Sequence, residues 1–401
     1  MVTQTRQNLH TPHLAVKAAI YLFMVPFLAG SLFLDDVCQP AQARKIRERG
    51  KKRRKAEKNK EETKVVLRTI QFPDKYSVGK LFKIETSALG IYSRGAALGE
   101  AKGKVSVPAE DKVLLDVEYE GFKNLKFSQG LKADDLYGLS LANDGRGFPV
   151  DDGELVLIKH LSGLRVLELE DNDITDDGVN NLSSFGNLEV LNLGHTMISS
   201  ASLPVIARLT KLTQLELDGI SLGENAIKDL SKLTGLKALY MRSCNLKSTS
   251  TKHLAAMKSL AVLRLAGNKI GDEGVKNMPV LAELKELNLN ETGVTDQSLE
   301  KIASYQSLAI LTLRGNSFSF SSASSIKSLS RLKKLFYLDI SGPKLTDDKI
   351  AFGKEMPALK TLRLSAEPSS RAAISRALPG VKLVFDEPKL PLDLFDPLKG
   401  R

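Results

Sequence analysis

A block of the form LxxLxLxx begins at Leu164 and begins again every 24 residues, at Leu188, Leu212, Leu236, Leu260, Leu284 and Leu308, with two further copies at Leu335 and Leu359. The one irregular step, from Leu308 to Leu335, is 27 residues and falls in the Ser-rich stretch 319–330. Two periods run inside each copy. Leu167, Glu168, Leu169 and Glu170 alternate as a strand with one buried face does. The next stretch, residues 174–188, spaces Val179, Leu182 and Phe185 by three, as a short helix or 3₁₀ segment does, with Thr175 as N-cap and Asp176 and Asp177 at its positive end. One such strand-plus-helix unit cannot bury its own apolar side. Neighbours must stack, and equivalent strands then pair in parallel roughly 4.8 Å apart.

These residues resemble the leucine-rich repeat family, whose signature is LxxLxLxx[NC]xL. The match spans residues 164–364, and a looser copy at Leu136, Leu139 and Leu141 extends it toward the N-terminus. The TDxG tail at 175–178, decayed at 295–298, is similar to the repeats of about 24 residues common in bacterial secreted and surface proteins. The resemblance implies an α/β solenoid, a horseshoe with parallel strands on its concave face and short helices on its convex face. The asparagine position holds Asn172, Thr196, Ile220, Cys244, Asn268, Thr292, Asn316, Pro343 and Glu367. An Asn there is expected to hydrogen-bond turn backbone between repeats, so looser turns are expected at Ile220 and Pro343.

The flanks divide the chain further. Residues 1–43 read as a signal peptide or membrane anchor: Arg6 and Lys17 precede an apolar run at 18–34, and Ala41-Gln42-Ala43 has the form a signal peptidase accepts. The expectation is export to the periplasm, the medium or the cell surface, with an uncleaved anchor at 18–34 as the alternative. Residues 44–62 read as a basic disordered linker, 63–135 as a small β-rich N-terminal cap, 136–386 as the repeat domain and 387–401 as a tail. The cap assignment rests on four strand-like runs, VVLRTIQF, GKLFKIE, KGKVSVP and KVLLDVEYE. A short helix at 372–378 and a last strand at 381–385 are expected at the far end.

The net charge of +11 is local. Residues 44–60 carry eleven Lys or Arg against two Glu, a balance of +9, and residues 1–43 balance to zero, which leaves +2 for the other 341. Charge therefore says little about the solenoid, while the basic run offers contact with an anionic surface. No aromatic interleaves its cations, so specific nucleic-acid recognition by base stacking has no support. If cleavage follows Ala43, Cys244 alone remains, and one thiol forms no internal disulfide.

The sequence contains no GxxxxGK[ST], HExxH or CxxC. The chain accordingly reads as noncatalytic, with no cofactor and no metal. His195, near Glu170 and Asp171, is more simply a solvated side chain than an acid–base group. What the repeat leaves free is the set of positions expected to point to the concave side: Glu168, Glu170, Asp171, His195, Glu216, Asp218, Tyr240, Arg242, Arg264, Arg314, Tyr337 and Arg363. Their N-terminal half is acidic and the remainder carries more Arg. Tyr and Arg are the types that dominate binding hot spots, so the expected function is recognition of a protein partner on this face. The alternative is a structural envelope component tethered electrostatically by residues 44–60. Leu265→Asp is expected to destabilise the fold severely and Arg264→Ala hardly at all.

Overall fold

The computed structural model describes residues 65–386 except 144, 146, 147, 321 and 322. The expected signal segment, basic run and C-terminal tail lie outside the described residues. Among the described residues no helix is long and apolar enough to cross a membrane. Among the described residues, 66–84 and 94–386 belong to one compact unit, and 65 with 85–93 belong to another. The described part of the latter centres on a tight turn closed by hydrogen bonds from Ser87 N to Ile91 O and from Gly90 N to Ser87 O.

The first five strands are β1 (Leu67–Gln71), β2 (Gly79–Thr86), β3 (Tyr92–Glu100), β4 (Lys104–Pro108) and β5 (Val113–Val117). β1 pairs antiparallel with β4, and β2 antiparallel with β5. Four of these fall on the expected runs; β3 does not, because YSRGAALGE lacks both apolar alternation and β-branched residues. From β5 onward pairing is parallel. β6 (Gly138–Ser140), β7 (Val166–Glu168), β8 (Val190–Asn192), β9 (Gln214–Glu216), β10 (Ala238–Tyr240), β11 (Val262–Arg264), β12 (Glu286–Asn288), β13 (Ile310–Thr312), β14 (Tyr337–Leu345), β15 (Thr361–Ala366) and β16 (Lys382–Phe385) follow in sequence order in one sheet of 14 strands. This is a leucine-rich repeat solenoid capped at its N-terminal end by antiparallel strands.

The register follows the leucines. Leu167, Leu191, Leu215, Leu239, Leu263, Leu287 and Leu311 lie opposite one another across consecutive strands, each fully buried. Short helices and 3₁₀ turns on the other side contribute Val179, Leu182 and Phe185 in the first full repeat to the same core. Thr175 caps its helix by accepting from Asp177 N, as expected. The far end holds a helix at Pro368–Ala377 and then β16, close to the expected positions.

The turn expected to loosen at Pro343 instead lies inside β14. That strand continues to Leu345, and after a register shift between Asp339 and Lys344 it pairs again with β15 through Leu345 and Ala366. Proline has no N–H to give to a ladder, but at the register shift none is required of it.

Candidate partner-binding face

Alternate residues of each strand point away from the core, and the register sets them side by side. One row runs Glu168, Asn192, Glu216, Tyr240, Arg264, Asn288, Thr312, Asp339 and Arg363 across β7 to β15. Positions two residues later, including Glu170, Asp218, Arg242 and Arg314, extend the same face, and Tyr337 lies two residues before Asp339. The face is a lattice of paired charges in which few expected contact residues stand alone.

At the N-terminal end, Arg94 of β3 bonds Asp116 Oδ2 at 2.6 Å and Glu168 Oε2 at 3.0 Å. Glu168 is therefore already engaged. Glu170 accepts from Asn192 Nδ2 at 3.1 Å and has no ion-pair partner among the described residues; burial and the charge of Asp171 push its carboxyl up to about 7. Glu216 has no hydrogen bond or ion pair among the described residues. Burial, then the carboxylates of Asp218 and Glu170, drive its pKa well above the usual range. Asp218 was expected as a contact residue, yet it is only 1% exposed. It grips the next repeat, accepting from Arg242 N at 2.6 Å and from Arg242 Nε at 2.5 Å. Both it and Arg242 are committed inside the sheet.

The centre of the row corrects two further expectations. Tyr240 is 7% exposed because the Arg264 guanidinium lies over its ring, 4.8 Å from the centroid, and burial raises its phenol. Arg264 also donates to Glu286 Oε1 at 2.6 Å. Arg264→Ala would strand the buried Glu286 carboxylate, so it belongs with the destabilising changes and not with the neutral ones. Toward the C-terminal end, Arg363 bonds Asp386 Oδ1 at 3.0 Å and stands 3.9 Å from Asp339 Oδ2. Tyr337 is half-buried beside them, and burial pushes its phenol up. Arg314 is half-buried, and among the described residues its guanidinium has no partner.

Asp171 and His195 occupy a different place. They sit in the turns that follow β7 and β8, both with left-handed backbone (φ 59° and 55°). The same column continues through Gly219, Ser243, Gly267, Glu291 and Gly315, all with positive φ. The His195 imidazole lies over Gly219, where a Cβ would collide with it. Among the described residues no group of three or more His, Cys, Asp or Glu is arranged to hold a metal ion. Cys244 is buried, and burial raises its thiol to about 12, so it is a poor nucleophile.

Arg94, Asp116, Asn192 and Glu286 were absent from the expected set. Arg94 lies on the unrecognised strand β3, and Glu286 stands one step before the alternation that was read. The alternation itself, extended two residues backward along each strand, would have found Glu286.

No curated relative matches the chain in sequence. Among solved structures, an internalin from Listeria monocytogenes is similar at 19% identity, with 67% of this chain and 89% of that chain covered and a TM-score of 0.41. The ectodomain of the Arabidopsis receptor kinase HAESA, solved with a peptide hormone ligand, is similar at 18% identity, covering 62% of this chain and 41% of that one, with a TM-score of 0.42. The sequence profile of the family described as "Leucine-rich repeat region" matches residues 148–383, more than half of the 401. With that match over the same residues that carry the repeated strands and the leucine register, the chain belongs to the leucine-rich repeat family.

Proposed function

We propose that the chain is a noncatalytic scaffold that recognises a protein partner on the solvent-facing side of its sheet. The observation that carries this reading is the pair of carboxyl groups Glu170 and Glu216. Both are half-buried on that face, neither has an ion-pair partner among the described residues, and their pKa values are raised by burial and by neighbouring carboxylates. Partly desolvated acids without an ion-pair partner cost folding free energy when they ionise, at Glu216 even with the Arg242 and Arg264 charges acting against the rise. A cationic group on a partner would neutralise them and convert that cost into affinity and specificity.

The test is capture by immobilised full-length protein, compared with Glu170→Gln/Glu216→Gln and with a control, Lys228→Gln, in a helix on the opposite side of the repeat. Partners retained by wild type and control but lost by the double variant are expected. An identical set on all three, with folding intact, would remove the acidic end from the site. The second reading, an envelope component held by the +9 balance of residues 44–60, is favoured by that run alone. It requires that association with anionic surfaces be lost near 0.5 M salt, where screening shortens to about 4 Å, while partner capture persists. Export through residues 1–43 remains part of the proposal, and the N-terminal mass of the exported product tests it.

A further inference from the structure

On β12 and β13 and just beyond them, several side-chain donors have no acceptor among the described residues. Asn288 Oδ1 accepts from Asn290 N at 3.0 Å, and Asn290 Oδ1 accepts from Arg314 N at 2.8 Å. Backbone N–H groups thus fix the direction of both side-chain amides, and each must present its Nδ2 as a donor. Neither Nδ2 has an acceptor among the described residues. Thr312 lies in register beside Asn288, is 2% exposed, and its hydroxyl has no hydrogen-bond partner. The Arg314 guanidinium, two residues further along the same face, is likewise without one.

Four neighbouring side chains therefore offer hydrogens, and the nearby buried carboxylates, Glu286 and Asp339, are occupied. Glu286 is held by Arg264. Asp339 accepts from Ser341 N and Oγ through Oδ1 and has Arg363 beside Oδ2. A buried donor without an acceptor costs roughly 1–3 kcal/mol; of the four, the Thr312 hydroxyl is the one so buried, and it points to a missing partner beside the Asn288, Asn290 and Arg314 donors that line the face. One unpaired guanidinium matches one negative charge, and the carboxylate of Asp339 next to Thr312 opposes a dianion. A planar carboxylate fits a guanidinium fork flanked by amides.

We propose that Asn288, Asn290, Thr312 and Arg314 form a carboxylate-binding site whose occupant is an aspartate or glutamate side chain of the protein partner. This rests on the reading of the sheet face as a partner-binding surface and adds an acid-recognising end to it. Glu291, exposed on the adjoining turn with its side chain over Gly315, is an internal competitor for Arg314.

The probe is N-acetyl-glutamyl methylamide, titrated into the isotope-labelled full chain while the side-chain resonances of Arg314, Asn288 and Asn290 are followed. This readout is specific to the site and blind to the basic run at 44–60. A saturable shift is expected, with none from the glutaminyl analogue. Arg314→Gln should weaken binding at least about tenfold, the worth of a charge-assisted hydrogen bond. Thr312→Val, of equal shape, should weaken it severalfold while raising the melting temperature, since it removes a buried unpaired hydroxyl, and Glu291→Gln should strengthen it. No saturable shift in wild type, an equal response to the neutral analogue, or an unchanged response in Arg314→Gln overturns the proposal. Tighter binding of inorganic phosphate than of the carboxylate overturns the ligand class. Loss of this site with partner capture still dependent on Glu170 and Glu216 would leave the scaffold reading standing, so the two fail separately.

Discussion

Glu170 shows how one position on a repeat acquires a chemistry its letter does not reveal. In water its carboxyl would ionise near 4.5; beside β7, burial first and Asp171 second hold it to about 7. Because the folded state binds the proton more tightly than the unfolded chain, stability must fall as pH rises from about 4.5 to about 7. Glu170→Gln removes its share of that slope. Melting temperatures measured between those limits are expected to decline with pH in wild type and less steeply in the variant, and parallel curves would place the titration elsewhere. The leucines were legible because the face they take is set by the alternation of their own strand. Asp218 and Tyr240 were not, since whether a face residue is covered depends on the reach of Arg242 and Arg264 from the next repeat.

Each repeat is tied to its neighbours by two kinds of side-chain staple. Asn268 reaches back to the preceding turn, accepting from Cys244 N and Leu246 N and donating to Met241 O, besides bonding its own turn at Leu265 O and Ala266 O. Asn172 and Asn316 repeat that pattern. The second staple reaches forward. Asp272 accepts from Thr295 N at 2.8 Å, Thr295 Oγ1 at 2.7 Å and Ser298 Oγ, joining the N-cap of the next helix, and Asp176 serves Ser199 and Ser202 in the same way. Burial alone would raise the Asp272 carboxyl, but these hydrogen bonds outweigh it and hold the group below its ordinary value. Its contribution is therefore present above the unfolded pKa and lost as pH falls through the lower folded value. Asp272→Ala should cost about 1–3 kcal/mol at neutral pH and make acid unfolding less steep; a chemical denaturation midpoint equal to wild type would deny the staple any energetic weight. The Asn staple was readable from the family signature. The Asp staple was hidden because its acid reads equally well as a favourable charge at a helix start, and its true partner stands 23 residues away.

Across the whole molecule the core is continuous, from Ile70 in the cap to Leu378 before the last strand. Leu265 is fully buried between repeats, so Leu265→Asp places an unpaired carboxylate where two units meet and should cost several kcal/mol, seen as a large drop in the thermal midpoint. A wild-type melt would mean the register is wrong. The face, in contrast, was legible as a location but not as a network: its alternation was plain, while its pairing runs between residues 22 to 24 apart and through Arg94, on a strand with no readable pattern. The staples also carry an evolutionary consequence. Because they bridge fixed intervals, gain or loss of a whole 24-residue unit preserves them and any other length severs them. The single 27-residue step follows this rule: at that junction the forward position is Phe320 and the backward position Pro343, so neither staple exists to be severed. The junction between the repeats of Leu188 and Leu212, with Ser200 and Ile220 in those two positions, is open in the same way. It is where a gene lengthening or shortening by a few codons would next be tolerated.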